Sequence, residues 1–149
     1  MLMRSFSVES ENGLLPHLAV PCHITPAFNP GKSMPKCPRI EFKALWDTGA
    51  AKTVITPRVI EALGLQPMKR IGPIFLQGVD SVEKSAAYEI NLSLPSHITI
   101  HELTVVSKDP GDMAWWNVII GMDVITQGDF SITNKNGKTE WSFSIPTAV

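Results

Sequence analysis

Ala44-Leu45-Trp46-Asp47-Thr48-Gly49-Ala50, with Thr53-Val54-Ile55 just beyond it, is the stretch around which the chain is organised. A run of apolar residues delivers one carboxylate, and a small hydroxyl residue and a glycine follow at once. The apolar run predicts a buried strand, and Thr48-Gly49 predicts a tight turn at its end. An aspartate so placed sits on rigid backbone at the rim of a core. Taken alone, Asp-Thr-Gly also describes an ordinary turn after a core strand, so the rest of the chain decides whether Asp47 is structural or chemical.

The 149 residues suit one domain with one good core. With 44 % hydrophobic and 18 % charged residues, the balance is that of an ordinary globule, not of a disordered or membrane chain. Net charge is −1 with acids and bases interspersed, which argues against nucleic acid as a partner. The apolar runs fall short of the ~20 residues that span a bilayer, so no membrane partner is expected. Met1-Leu2-Met3-Arg4 leads into Ser, Glu and Asn, not into an apolar export signal. A cytoplasmic location with Cys22 and Cys37 reduced is the expectation.

Residues 1–13 are polar and weakly patterned and are expected to be a flexible terminal segment, with the folded domain over residues 14–149. Leu14 to Phe28 is β-rich but carries Pro16, Pro21 and Pro26, which predicts irregular edge structure. After a turn at Asn29-Pro30-Gly31, Arg39 to Trp46 is the second strand of a hairpin. Thr56 as cap, Pro57 at the first position and Gly64 as exit bracket a short helix, with Val59, Ile60 and Leu63 on one face. Ile71 to Leu94 reads as a long hairpin with its tip at Gln77-Gly78-Val79-Asp80-Ser81, and Ile98 to Val106 as another strand. His97 and His101 on a strand stand about 13 Å apart, too far to chelate one ion. No metal or cofactor site is expected. Asn117-Val118-Ile119-Ile120-Gly121 reads as a buried strand that bends into a short helical segment ending at Gly128. A last hairpin turns at Asn136-Gly137.

Two of these blocks together resemble the signatures of retropepsin-like aspartic proteases: Ala44 to Ala50, and Asn117 to Gly121 followed by a helical segment. The hairpin between them and the one after them fall in that family's order, over roughly residues 40–145. The resemblance implies a mostly β, single-domain acid-protease fold with a closed barrel-like sheet, a long flap hairpin and two short helices. It implies Asp47 as the catalytic carboxylate, with Thr48, Gly49, Ala50 and Gly121 supporting its loop. Gly78 and Val79 would sit at the flap tip, and Ile119 with nearby Asn117 would wall an apolar pocket for extended peptide. Trp115 and Trp116 read as core, with a pocket role left open. Retroviral members carry an aspartate two residues after Asp-Thr-Gly, paired with an arginine after the second glycine. Here those places hold Ala51 and Met122, so both partners are missing together.

In this chemistry two carboxylates share one proton, one serving as base on a water and the other as acid. This chain has one Asp-Thr-Gly, so the resemblance implies a homodimer that brings Asp47 from two copies together. The C-terminal strand Trp141 to Ile145 is a candidate for pairing between subunits. Ala50 stands where pepsin-like members have a serine, and one hydrogen bond fewer to the charged carboxylate predicts activity at milder acidity. The expected function is an aspartic endopeptidase acting on extended protein or peptide substrates. The alternative is a catalytically weak peptide-binding or assembly module that keeps the fold.

Overall fold

The computed structural model describes residues 2–28, 39–68, 74–75 and 84–147. Its strands are β1 (Leu2–Glu9), β2 (Ala19–Pro26), β3 (Ile40–Trp46), β4 (Val54–Ile55), β5 (Ile74–Phe75), β6 (Lys84–Ser85), β7 (Ala87–Leu94), β8 (Ile98–Ser107), β9 (Val118–Ile120), β10 (Asp129–Thr133) and β11 (Glu140–Thr147). Two short helices interrupt them, α1 (Pro57–Leu63) and α2 (Met122–Ile125). Six of the strands close a barrel in the order β2-β3-β9-β4-β8-β7, and β1-β11-β10 form a separate sheet. This is the mostly β, single-domain architecture with two short helices that the motifs imply. Among the described residues no helix is long and apolar enough to cross a membrane.

Period-two burial explains the barrel. Phe42, Ala44 and Trp46 of β3 face inward, as do Ile90, Leu92 and Leu94 of β7 and Val118 and Ile120 of β9. Helix α1 lays Val59 and Leu63 on this core and exits through Gly64, whose φ of 61° is the left-handed conformation glycine adopts without strain. Thr56 precedes the helix as expected, but its hydroxyl makes no capping bond and is buried without a partner.

Trp46 joins barrel to sheet. Its ring stacks on Phe130 at 5.8 Å with planes 5° apart, and lies 4.9 Å from Phe143 and 5.4 Å from Trp141. Phe6 of β1 closes the cluster at 5.8 Å from Trp46 and 5.5 Å from Trp141. Large rings in such tilted and offset arrangements bury much area and add roughly 0.5–1.5 kcal/mol per pair beyond it. The residue before Asp47 is therefore anchored from several elements.

Three expectations need correction. Residues 1–13 do not stand apart as a flexible segment: β1 pairs with β11 from Leu2↔Thr147 to Glu9↔Glu140, and Phe6 is buried. An outer strand that buries one large side chain leaves too thin a pattern to read. Second, β2 is a barrel strand and not an edge, pairing β3 over 19–24 and β7 over 23–26. Its prolines are tolerated because Pro21 pairs on one side only and Pro26 ends the strand. Third, β11 is the central strand of its sheet, with β1 and β10 on its two sides over 140–144. Pairing of Trp141 to Ser144 with another subunit is thereby blocked.

Cys22 lies in the core at 1 % exposure, and burial, aided by the charge of Glu41, pushes its thiol up to about 12 from 9.0. The folded chain therefore keeps this proton where the unfolded chain releases it. The stabilisation is whole below pH 9 and is lost as pH rises toward 12. Relative to a Cys22→Val variant, wild-type stability in denaturant titrations should drop by roughly 1 kcal/mol between pH 8 and pH 10. In a Cys37→Ala background, Cys22 should resist thiol reagents until the chain is unfolded.

Candidate active site

Asp47 follows directly on β3. Its N–H donates to the Ile120 carbonyl at 3.0 Å, so β9 fixes the backbone at the point where the strand ends. The chain then turns: the Ala50 N–H donates to the Asp47 carbonyl at 3.2 Å, and the Gly49 N–H donates to Asp47 Oδ1 at 2.8 Å. One carboxylate oxygen is thus held by its own loop. Asp47 and Ala50 are half-buried, while Thr48, Gly49 and Ala51 are exposed. The loop presents the carboxylate at the surface of one chain.

The second block holds this loop from beneath. β9 runs parallel to β3, with Leu45 opposite Ile119 and Trp46 opposite Ile120. The Met122 N–H donates to the Ala50 carbonyl at 2.7 Å. Gly121, buried between, is as close as backbone can come: a Cβ there would lie 2.7 Å from the Lys52 carbonyl and 2.9 Å from the Ala50 oxygen. Any side chain at 121 would push the loop outward.

Sequence reasoning missed Asp123. Its Oδ2 accepts the Thr53 N–H at 3.0 Å and its Oδ1 accepts the Thr53 hydroxyl at 2.7 Å. The same hydroxyl oxygen accepts the Gly121 N–H at 3.2 Å. Thr53 is fully buried, so these bonds satisfy polar groups that water cannot reach. The loop over 47–53 is thus clamped at both ends, by Ile120 at the start and Asp123 at the finish. A signal existed in the Thr of the first block and the Asp after Gly121, but nothing local links two residues 70 positions apart.

The remaining expected residues divide. Ile119 is half-buried and alternates out of the core between buried Val118 and Ile120. Asn117 has a structural part: its side-chain oxygen accepts the Lys43 N–H at 2.9 Å, and its carbonyl accepts the Thr56 N–H at 3.1 Å. It ties β3 to the start of α1. Trp115 is not core, being 44 % exposed and packed on His17 at 5.5 Å. The lower arms of the long hairpin pair as Ile74↔Ser85 and Phe75↔Lys84, whereas Gly78 and Val79 lie outside the described residues. At the places of the viral ion pair, Ala51 is exposed and Met122 packs against the core. His97 leaves the strand for the turn before β8, and His101 lies 3.2 Å from the Asn91 amide.

Residues 39–127 match the family described as "gag-polyprotein putative aspartyl protease". No curated protein matches the sequence. The fold is similar to that of a retropepsin-like aspartic protease from Rickettsia conorii, at 10 % identity and a TM-score of 0.54, covering 97 % of this chain and 98 % of that one. It is also similar to EIAV protease complexed with the inhibitor HBY-793, at 18 % identity and a TM-score of 0.50, covering 78 % of this chain and 92 % of that one. At such identities the likeness speaks for the fold, while the matched family spans more than half of the sequence and includes both blocks of the site. The chain belongs to the retropepsin-like family of aspartic proteases.

Proposed function

We propose that the chain is one subunit of a homodimeric aspartic endopeptidase, in which Asp47 from two copies meets across a two-fold axis. The observation that carries this reading is the loop itself: one Asp-Thr-Gly per chain, on an exposed turn that β9 and α2 clamp from below. Rigid support of a surface carboxylate is what a two-carboxylate site assembled from two surfaces requires.

In that dimer the like charges of two close carboxylates favour a state holding one proton between them. The ionised partner takes a proton from a water as it attacks the peptide carbonyl, and the protonated partner donates to the carbonyl oxygen. The Gly49 N–H, already on Asp47 Oδ1, holds each carboxylate plane in place during this exchange. Ile119 supplies an apolar wall for the bound peptide. Extended segments with hydrophobic side chains at the scissile bond are the expected substrates.

The test is cleavage of denatured casein with and without pepstatin, together with molecular mass by sedimentation over a concentration series. Pepstatin-sensitive cleavage that appears with the dimer, extending to milder acidity than pH 2, is the expected result. A stable dimer that cleaves nothing would turn the reading toward a peptide-binding module.

A further inference from the structure

We propose that a cationic cleft apart from the Asp47 loop is an exosite for an acidic segment of the polypeptide substrate. It deepens the function proposed above by naming the charge of the substrate, and it rests on that reading only for what the bound segment belongs to.

The cleft, about 600 Å³, is bordered by Arg4 of β1, His23 of β2, Arg39 just before β3, and His97 of the turn between β7 and β8. Its volume is that of a small-ligand or short-peptide pocket. Two guanidinium groups and two imidazoles come to one place from four parts of the chain, and among the described residues no carboxylate borders it. Glu41 sits opposite His23 in the β2–β3 ladder but borders a different cleft, with Arg58 and Trp115. None of residues 47–53 or 117–123 lines the cationic cleft, so it is separate from the catalytic loop.

Its rim is built under strain. Ser96 and His97 both hold left-handed backbone, with φ of 61° and 58°, a conformation that non-glycine residues adopt only under strain. Arg4 braces this turn, its Nη1 donating to the His97 carbonyl at 2.6 Å. That bond uses one of the five N–H groups of the guanidinium. The rest of the fork suits carboxylate oxygens.

An acidic polypeptide fits this cleft better than a nucleic acid. Pro21 and Pro95 give it an apolar border, Ser93 and Ser96 add hydroxyls suited to a peptide backbone, and among the described residues no Phe, Tyr or Trp lines it to stack a base. Because the chain carries a net charge of −1, an acidic peptide gains nothing from the overall field. Attraction has to come from the cleft.

The experiment is fluorescence anisotropy of a labelled glutamate-rich octapeptide and a glutamine-rich counterpart, on the full chain carrying Asp47→Asn so that neither is cut. The acidic peptide should bind more tightly, weakening as salt rises. Arg39→Glu, on an exposed residue, should weaken it by roughly tenfold or more, and Lys135→Glu, at an exposed lysine outside the cleft, by less than about twofold. Equal losses in the two variants, equal binding of the two peptides, or tighter binding of a single-stranded oligonucleotide of equal charge would overturn the proposal. Loss of binding with casein cleavage intact in wild type sinks the exosite alone. Binding without any cleavage sinks the protease reading alone.

Discussion

Asp47→Asn should lower casein cleavage by a factor on the order of 10³ or more while leaving the fold and the dimer intact. Asparagine keeps the volume of aspartate, and its Oδ1 can still accept the Gly49 N–H that is bonded at 2.8 Å. What it removes is the capacity to take or share a proton, which no neighbour of Asp47 replaces among the described residues. Mixing makes the prediction specific to a shared site. At fixed wild-type concentration, adding an equal amount of Asp47→Asn chain should cut the rate to about half once subunits exchange, because half of the wild-type chains then sit in mixed dimers. An enzyme acting as a monomer would ignore the added variant. An undiminished rate in Asp47→Asn itself would remove Asp47 from the chemistry altogether.

What could be read in the sequence was local. The Asp-Thr-Gly turn, the Val118-Ile119-Ile120-Gly121 strand and bend, and the Pro57-to-Gly64 helix each carry their own signal within a few residues, and each stands where it was expected. The parts that escaped depend on partners far along the chain. β1 is held by β11, 137 positions away at Phe6↔Phe143, and its one buried ring is too little to mark it as a strand. β2 looked like an edge because of its prolines, and only its one-sided pairing at Pro21 explains how it serves inside a barrel. Trp115 read as core by residue type alone, yet it stands at the surface beside His17.

The intramolecular sheet bears on how two copies would meet in the proposed dimer. With β11 enclosed by β1 and β10, the central strand cannot accept a partner strand over 140–144. With Ala51 and Met122 in place of an ion pair, a charged link at those positions is also gone. Contacts between subunits of the proposed dimer would then concentrate on the exposed loop of Thr48, Gly49 and Ala51, which raises the demand on whatever keeps that loop rigid in one chain.

Asp123 meets that demand, and its replacement is the second large effect. Asp123→Ala removes the acceptor for both the N–H and the hydroxyl of Thr53, bonded at 3.0 and 2.7 Å, inside a fully buried site. Leaving such donors unpaired costs about 1–3 kcal/mol each, so stability in urea should fall by roughly 3 kcal/mol. Thr53 also positions Gly121, close enough under the loop that a Cβ there would come within 3 Å of it, so the carboxylate at Asp47 shifts with it. A displacement of about 1 Å costs on the order of 10²-fold in rate. The loss should fall on kcat, with KM changed by less than about threefold, because Asp123 does not reach the Ile119 wall. Asp123→Asn separates positioning from charge: its oxygen still accepts the Thr53 N–H, while its amide faces the Thr53 hydroxyl oxygen and leaves only the hydroxyl hydrogen without an acceptor, a smaller loss than in Asp123→Ala. This variant should keep most of the wild-type kcat. If Asp123→Ala loses stability yet turns over at the wild-type kcat per folded dimer, the clamp supports the fold without placing the catalytic carboxylate.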